Sequence, residues 1–294
     1  MTKQQILRLN EELKYAVMKT TNKDLTALGG KIPLILIYVA SRRLKNAKDI
    51  VLKMGKYFSL EGNKFYKAFL NKELKKYFNN KYKQTNENIE ELNEEIIKAV
   101  KNFSKYIRKN PKTNIAIFLM FILGAYLGSG GIDGDGGIPD LDLEIFGIEN
   151  HRSIFTHSVI AGIIIETLIL FSIIAIDMIY DKLPKEHLEI WDLIHEKKDN
   201  FLFNFTTGVS AGLAYHFTID ATIDGMGTYK DLPFSAPREV HQFIMGANAF
   251  IEGLDAYYKK FDYKIIKNLF ILFKSKFNKK DSNETKIRLN YRRS

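Results

Sequence analysis

The chain has 294 residues, with 44 Lys and Arg against 34 Asp and Glu, a net charge of +10 and no cysteine. Its length allows one large domain or two smaller ones around a sizeable core. The missing thiols exclude disulfides, iron–sulfur clusters, thiolate zinc sites and a cysteine nucleophile, so any transition metal would be held by histidine and carboxylate.

The net charge hides a division into three parts. Residues 1–112 carry 25 basic against 11 acidic side chains, residues 113–258 carry 7 against 20, and residues 259–294 carry 12 against 3. This predicts a basic helical region (1–112), an apolar and acidic helical core (113–258), and a basic amphipathic helix with a tail (259–294). Basic arms call for an anionic partner, and the headgroups of a membrane leaflet fit. Nucleic acid is not favoured as the partner, because no helix-turn-helix, zinc-finger or RNA-binding signature accompanies the charge.

The N-terminus has charges throughout and no apolar core of a signal peptide. The first 110 residues read as amphipathic helices without strand alternation. Ile32–Ala40 is apolar but too short to cross a membrane, so a buried helix segment is expected there. Asn63–Lys83 interleaves Lys with Phe and Tyr and reads as an amphipathic helix with core aromatics; the rival reading is a membrane-surface or nucleic-acid face. From a cap at Thr85 or Asn86, Ile89, Leu92, Ile96, Ala99, Phe103 and Tyr106 recur at helical spacing, with glutamates early and basic residues late, as the helix dipole favours.

Pro111 marks the start of the core. Ile115–Leu127 is apolar over 13 residues and is expected to be a buried helix, and Gly128–Gly137, with six glycines in ten residues, must be loop. Val159–Ile176 carries one charge, Glu166, in 18 residues, enough to span a bilayer. Phe201–Ile219 is a weaker apolar segment. Tyr263–Phe277 reads as a basic amphipathic helix lying on a membrane surface. The expected fold is therefore all-α, a multi-helix bundle with one to three highly apolar central helices. Basic termini on the cytoplasmic side of the cell membrane require an even number of spans, so the three apolar segments of the core cannot all cross; the alternative is a cytoplasmic or peripheral helical bundle.

Three pieces of the core carry chemistry. Asp140 and Asp142 project to the same side of an extended loop. His151, Arg152, Thr156, His157 and Ser158 introduce the most apolar helix. His216, Asp220 and Asp224 are spaced four apart and share a face of an otherwise apolar helix, where such charges must be paired, neutralised or bound to metal. Imidazole and carboxylate together suit zinc, manganese, iron or nickel, and magnesium where carboxylates dominate. Arg152 is the single basic residue between Thr113 and Asp181 and can hold a phosphate or carboxylate. His187, His195 and His241 lie among charged or loop residues and are set aside; Glu166 is either a supporting partner of the site or a helix-packing group. Asp133, Asp135 and Glu144 match three positions of a calcium-hand loop, but Ile138 stands where that loop needs glycine.

The segments PDLD (139–142), HRSIFTHS (151–158) and GLAYHFTIDATIDGMG (212–227) resemble the signature of the YdjM-like family of predicted membrane-bound metal-dependent hydrolases. The resemblance covers about residues 124–237. It implies a helical, membrane-bound protein, with Asp140, Asp142, His151, Arg152, Thr156, His157, His216 and Asp220 as metal and catalytic residues. Ser153 replaces the family's usual glycine, and no histidine precedes His151, where the family often has one. On this reading Asp140, Asp142, His157, His216 and Asp220 hold a divalent ion, with zinc first. His151, Arg152 and Asp224 serve catalysis, and the substrate is a small-molecule or lipid phosphoester. The competing expectation is a membrane protein that uses the same cluster to relay ions or protons.

Overall fold

The computed structural model describes residues 2–131, 136–147, 152–222, 229 and 237–259, and every regular element among them is an α-helix. In order these are α1 (Lys3–Lys19), α2 (Asn22–Gly29), α3 (Ile32–Leu70), α4 (Leu74–Lys109), α5 (Pro111–Ser129), α6 (Leu141–Phe146), α7 (Val159–Tyr180), α8 (Glu189–Thr222) and α9 (Arg238–Tyr258). The expected all-α fold is what the chain adopts. The helices group into two compact units, one drawn from residues 1–39, 163–199 and 258–294, the other from 40–162 and 200–257.

In the first unit, α1 opens on a capping box, Thr2 and Gln5 satisfying each other's backbone N–H groups. Its buried Glu12 accepts the Trp191 indole N–H at 3.0 Å and the Leu188 N–H at 3.1 Å, which holds α1 against the start of α8. Glu166, buried on α7, meets Lys259 at 3.4 Å, so its partner among the described residues is a lysine.

The second unit holds the residues of the candidate site, and glycine sets its geometry. Gly124 and Gly128 of α5 face Phe205 and Val209 of α8, while Gly208 and Gly212 of α8 face Phe121 and Ala125 of α5. A Cβ at Gly208 or Gly212 would overlap a carbonyl oxygen of α5. Two small-xxx-small motifs thus interlock, the means by which apolar helices gain contact where no hydrophobic drive separates side chain from surroundings. The pairing of 121 with 208 and 125 with 212 makes α5 and α8 parallel. The first turn of α7 and α9 also run parallel to each other: Val159 N–H donates to Asn248 Oδ1 at 3.2 Å, and Gly162 abuts Glu252. Ser210 in the middle of α8 bonding Asp255, and His241 reaching Asp220 near the C-terminal end of α8, make α8 and α9 antiparallel.

Between α3, α8 and α9 lies a buried ionic knot. Arg43 meets both Glu252 and Asp255 at 3.2 Å, Arg42 meets Asp255 at 2.8 Å, and Ser210 donates to Asp255 at 3.0 Å. Two guanidinium groups face two carboxylates, so the knot is charge-balanced where an unpaired charge would be costly.

Three helical stretches are long and apolar enough to cross a membrane: Asn22–Leu70, Pro111–Ser129 and Val159–Tyr180. This corrects two expectations of burial. Ile32–Ala40 buries Ile35 and Val39 but exposes Leu36 and Ile37, and it belongs to a 39-residue helix. The apolar run of α5 extends to 19 residues, about 28 Å at the helical rise, with Ile115, Phe118, Leu119, Ile122, Leu123 and Tyr126 exposed. One face of α5 is spent on the glycine contact, which leaves its bulky residues pointing outward. The weaker segment Phe201–Ile219 is not among the three, and its glycines serve helix packing instead.

The basic N-terminal region differs in detail. Asn63–Lys83 is a helical turn-back, not one helix: α3 ends at Leu70, Lys72 takes a left-handed conformation (φ 59°), and α4 begins at Leu74. Its aromatics are not core. Phe65 packs edge-on against Tyr77 and Phe78 across the turn, yet Phe65 and Phe78 stay exposed, as do Tyr66, Phe69 and Tyr82. Thr85 caps nothing, because α4 runs through it and its hydroxyl bonds back to Lys81 O at 2.9 Å. Gly128 and Ser129 extend α5 beyond the point where the glycine-rich loop was expected to start. The Tyr263–Phe277 helix lies outside the described residues.

The glycine contact makes a direct prediction. Gly212→Ala forces α5 and α8 apart and lowers stability in detergent by roughly 1–3 kcal/mol, read as a fall in thermal midpoint. Gly246→Ala in α9, where a Cβ meets nothing within 4 Å, leaves the midpoint unchanged or higher.

Candidate metal centre

The site forms at the end of the second unit where α5 and α8 finish and α7 and α9 begin. The chain leaves α5 through Gly130 in a left-handed cap (φ 81°), which no L side chain adopts cheaply. Ile138 N–H then returns to Leu127 O at 2.8 Å, and the Gly136 N–H donates to the Asp140 carboxylate. This loop aims Asp140 inward at the head of α6, and Asp142 follows two residues later; both are buried.

The second segment wraps around Asp142. Arg152 is left-handed (φ 70°), and the turn it starts lets Ser153 N–H and Thr156 Oγ1 each donate to Asp142 Oδ2 at 2.7 Å. Because the Thr156 hydroxyl proton goes to Asp142, its oxygen is left to accept from His157 Nδ1, 3.0 Å away, while Asp142 Oδ2 lies 3.3 Å from the same nitrogen. The proton of His157 is therefore drawn to Nδ1, and Nε2 faces Asp140 Oδ1 at 3.7 Å. Burial alone would raise the Asp142 carboxyl, but His157, the Ser153 N–H and Thr156 together hold it well below the usual carboxylate range.

The third segment comes from α8. His216 Nδ1 lies 3.2 Å from the carbonyl oxygen of Ser129, the last residue of α5. A carbonyl only accepts, so Nδ1 carries the proton and the Nε2 lone pair points into the site. There it stands 3.5 Å from Asp220 Oδ2, and neither atom has a hydrogen-bond partner among the described residues. Two buried acceptors facing one another without a proton between them favour a cation. Burial holds the His216 pKa below its ordinary value, which keeps the ring neutral and able to ligate.

Asp140, His157 and His216 each offer a ligand atom, and these atoms lie within 4.8 Å of one another at three buried side chains. A first-row ion with ligands at about 2.0–2.2 Å draws such atoms in by on the order of an ångström. This group can hold a metal ion. The two imidazole rings are 5.3 Å apart and tilted by 60°.

Of the expected site residues, Asp140, His157 and His216 converge as one group. Asp142 stands behind His157 on the far ring nitrogen, and Asp220 lies beside His216 with its other oxygen 3.6 Å from Arg152 Nη2. Arg152 thus pairs with Asp220. His151 and Asp224, like Asp133 and Asp135, lie outside the described residues. His241 was set aside in the sequence, yet it is fully buried on α9, and its Nε2 donates to the Asp220 backbone oxygen at 3.4 Å. The missed signal is a polar stripe: His241, Asn248, Glu252 and Asp255 recur at helical spacing with Met245, and all five are buried.

Comparison with protein-family models, curated proteins and solved structures finds no match for this chain.

Asp142 orients His157, a candidate ligand that stays in place without it, so its loss is expected to weaken metal binding without abolishing it. Asp142→Asn lowers affinity for zinc by roughly 10–100-fold, measured by competition against a chromophoric chelator, with the helical circular dichroism unchanged.

Proposed function

We propose that this chain is a membrane-associated, metal-dependent hydrolase acting on a phosphoester or phospholipid, of the kind its PDLD, HRSIFTHS and HFTID segments resemble. The observation that carries the reading is the buried Asp140–His157–His216 group, in which each imidazole has its distal nitrogen committed to a fixed acceptor. Ring orientation set from behind is the usual arrangement of metal-bound histidine. Two imidazoles with a carboxylate match zinc first, and manganese, iron or nickel next. Magnesium fits best if Asp220 or Asp142 also ligates.

An ion in this position supplies Lewis-acid charge and a nucleophilic water at neutral pH. The chain's own residues do the rest. Arg152, held by Asp220 at the edge of the ligand group, presents its guanidinium to the anionic oxygens of a phosphoryl group. Asp142 keeps His157 in the Nδ1–H tautomer through Thr156, so the ring cannot turn away during turnover. His151 and Asp224 are the candidates for proton transfer to the leaving group.

Helix direction and charge support an orientation in the membrane. Since α5 runs toward the site and α9 away from it, Pro111 and the last turn of α9 lie at the opposite end of the second unit from the site. Both arms are basic, and the positive-inside bias puts them on the cytoplasmic face of the cell membrane, with the site toward the other face. Contact between the arms and anionic headgroups is part of this reading. Because the chain lacks cysteine, one engineered thiol tests it. Lys101→Cys is protected from an impermeant maleimide in intact cells and labelled after permeabilisation; labelling in intact cells reverses the orientation.

Metal content decides the chemistry. Protein purified in detergent carries about one equivalent of a divalent first-row metal, and the His157→Ala/His216→Ala double variant carries none by elemental mass spectrometry. Metal-loaded protein hydrolyses phosphoesters and the double variant does not. A wild type that stays metal-free after reconstitution defeats the hydrolase. Metal-independent cation flux through liposomes, with no turnover, supports the relay instead.

A further inference from the structure

The segments that build the site bury their polar residues and expose their apolar ones. On α6, Asp142 is inaccessible while Ile145 is 66% exposed. In the turn before α7, His157 is inaccessible and Phe155 is 59% exposed. On α9, His241 is inaccessible and Phe243, two residues on, is 76% exposed. Leu141 and Val240, directly beside Asp140 and His241, are exposed as well. In a water-facing rim this pattern is reversed, because apolar side chains gain by leaving water and carboxylates lose.

These five residues come from three separate segments, and all lie within three positions of a site residue. They also lie where α5 ends and α7 begins, and both helices are long and apolar enough to cross a membrane. The level at which a spanning helix ends is the bilayer interface, about 15 Å from the midplane. Aromatic and aliphatic side chains on short helices and turns at that level insert among headgroups and upper acyl chains. α5, which ends at the site, exposes bulky apolar residues along its length as well.

We propose that Leu141, Ile145, Phe155, Val240 and Phe243 form a rim inserted in the bilayer interface, through which the metal centre takes its substrate directly from the membrane. The ligand class is a lipid whose phosphoester headgroup reaches Arg152 and the Asp140–His157–His216 group while its acyl chains stay beside the rim. The chemical part rests on the hydrolase reading above; the placement of the rim does not.

The two parts are separated by two measurements on the full chain in nanodiscs of phosphatidylcholine and phosphatidylglycerol. The protein has one tryptophan, so a Phe155→Trp variant is read as a difference spectrum against its parent. An added indole that emits in the blue, is quenched by lipid brominated high on its acyl chain and is spared by iodide places the rim in the bilayer. Red emission quenched by iodide and untouched by brominated lipid overturns the proposal. In the second measurement, zinc-loaded Phe155→Ser/Phe243→Ser protein loses at least about tenfold in hydrolysis of nanodisc phosphatidylglycerol, since two apolar anchors are gone. It keeps its rate on soluble bis(p-nitrophenyl) phosphate. Equal loss on both substrates, or none on either, overturns lipid entry through the rim. No hydrolysis of either probe by the parent, with the indole in lipid, removes the hydrolase and leaves the inserted rim standing.

Discussion

Everything at the candidate metal centre depends on how closely α5 and α8 approach. At Gly124, Gly128, Gly208 and Gly212 the two backbones touch, with no side chain between them. The consequence appears one turn further along. Ser129 ends α5 beside His216 on α8, so a backbone carbonyl, the least mobile acceptor available, fixes the imidazole. A larger residue in the contact would separate the helices, and His216 would lose its acceptor and its orientation together. Packing and ligand geometry are therefore one constraint. The polar chemistry of the site rests on the smallest apolar contacts in the unit.

The same unit shows how an apolar bundle carries charge. Arg42 and Arg43 neutralise Glu252 and Asp255, and Ser210 takes up a further lone pair of Asp255. That knot lies on the stretch of α8 and α9 away from the site. At the site end the balance differs: three aspartates and three histidines are buried with one arginine. The knot is complete without any added ion, whereas His216 and Asp220 present two acceptors to each other. One cluster is closed and structural; the other is open and asks for a cation.

Much of this was legible in the sequence, and the reasons for the rest are physical. Helical class, the break at Pro111 and the convergence of Asp140, His157 and His216 follow from periodicity, charge density and residue type. What could not be read was direction and neighbourhood. The glycines of α8 look like interruptions of an apolar segment until α5 supplies their partners. The run at Ile115–Leu127 looks like core because length alone cannot say whether a neighbour covers it; α5 gives its small-residue face to α8 and exposes the rest. His241 escaped because its local surroundings are charged, although its helical period with Asn248, Glu252 and Asp255 marks a buried polar face. That Asp142 lies on the far ring nitrogen of His157, and Asp220 beside His216 and Arg152, is seen only in the fold.

The two imidazoles reach the same state by different routes. His157 is held by a side-chain chain, Asp142 through Thr156, and that chain exists because Arg152 adopts a left-handed turn that brings Ser153 and Thr156 round the carboxylate. His216 is held by a main-chain carbonyl that exists because α5 stops at Ser129. In each case Nδ1 is committed and Nε2 is presented inward, so both tautomers are fixed by groups that do not themselves need a metal in order to be in place. Fixing both rings in advance lowers the ordering cost of holding an ion between them. Asp140 comes from neither route: it stands at the head of a six-residue helix and accepts the Gly136 N–H. His216 comes from a helix whose direction the glycines dictate, His157 from the turn before α7, and Asp140 from the head of α6.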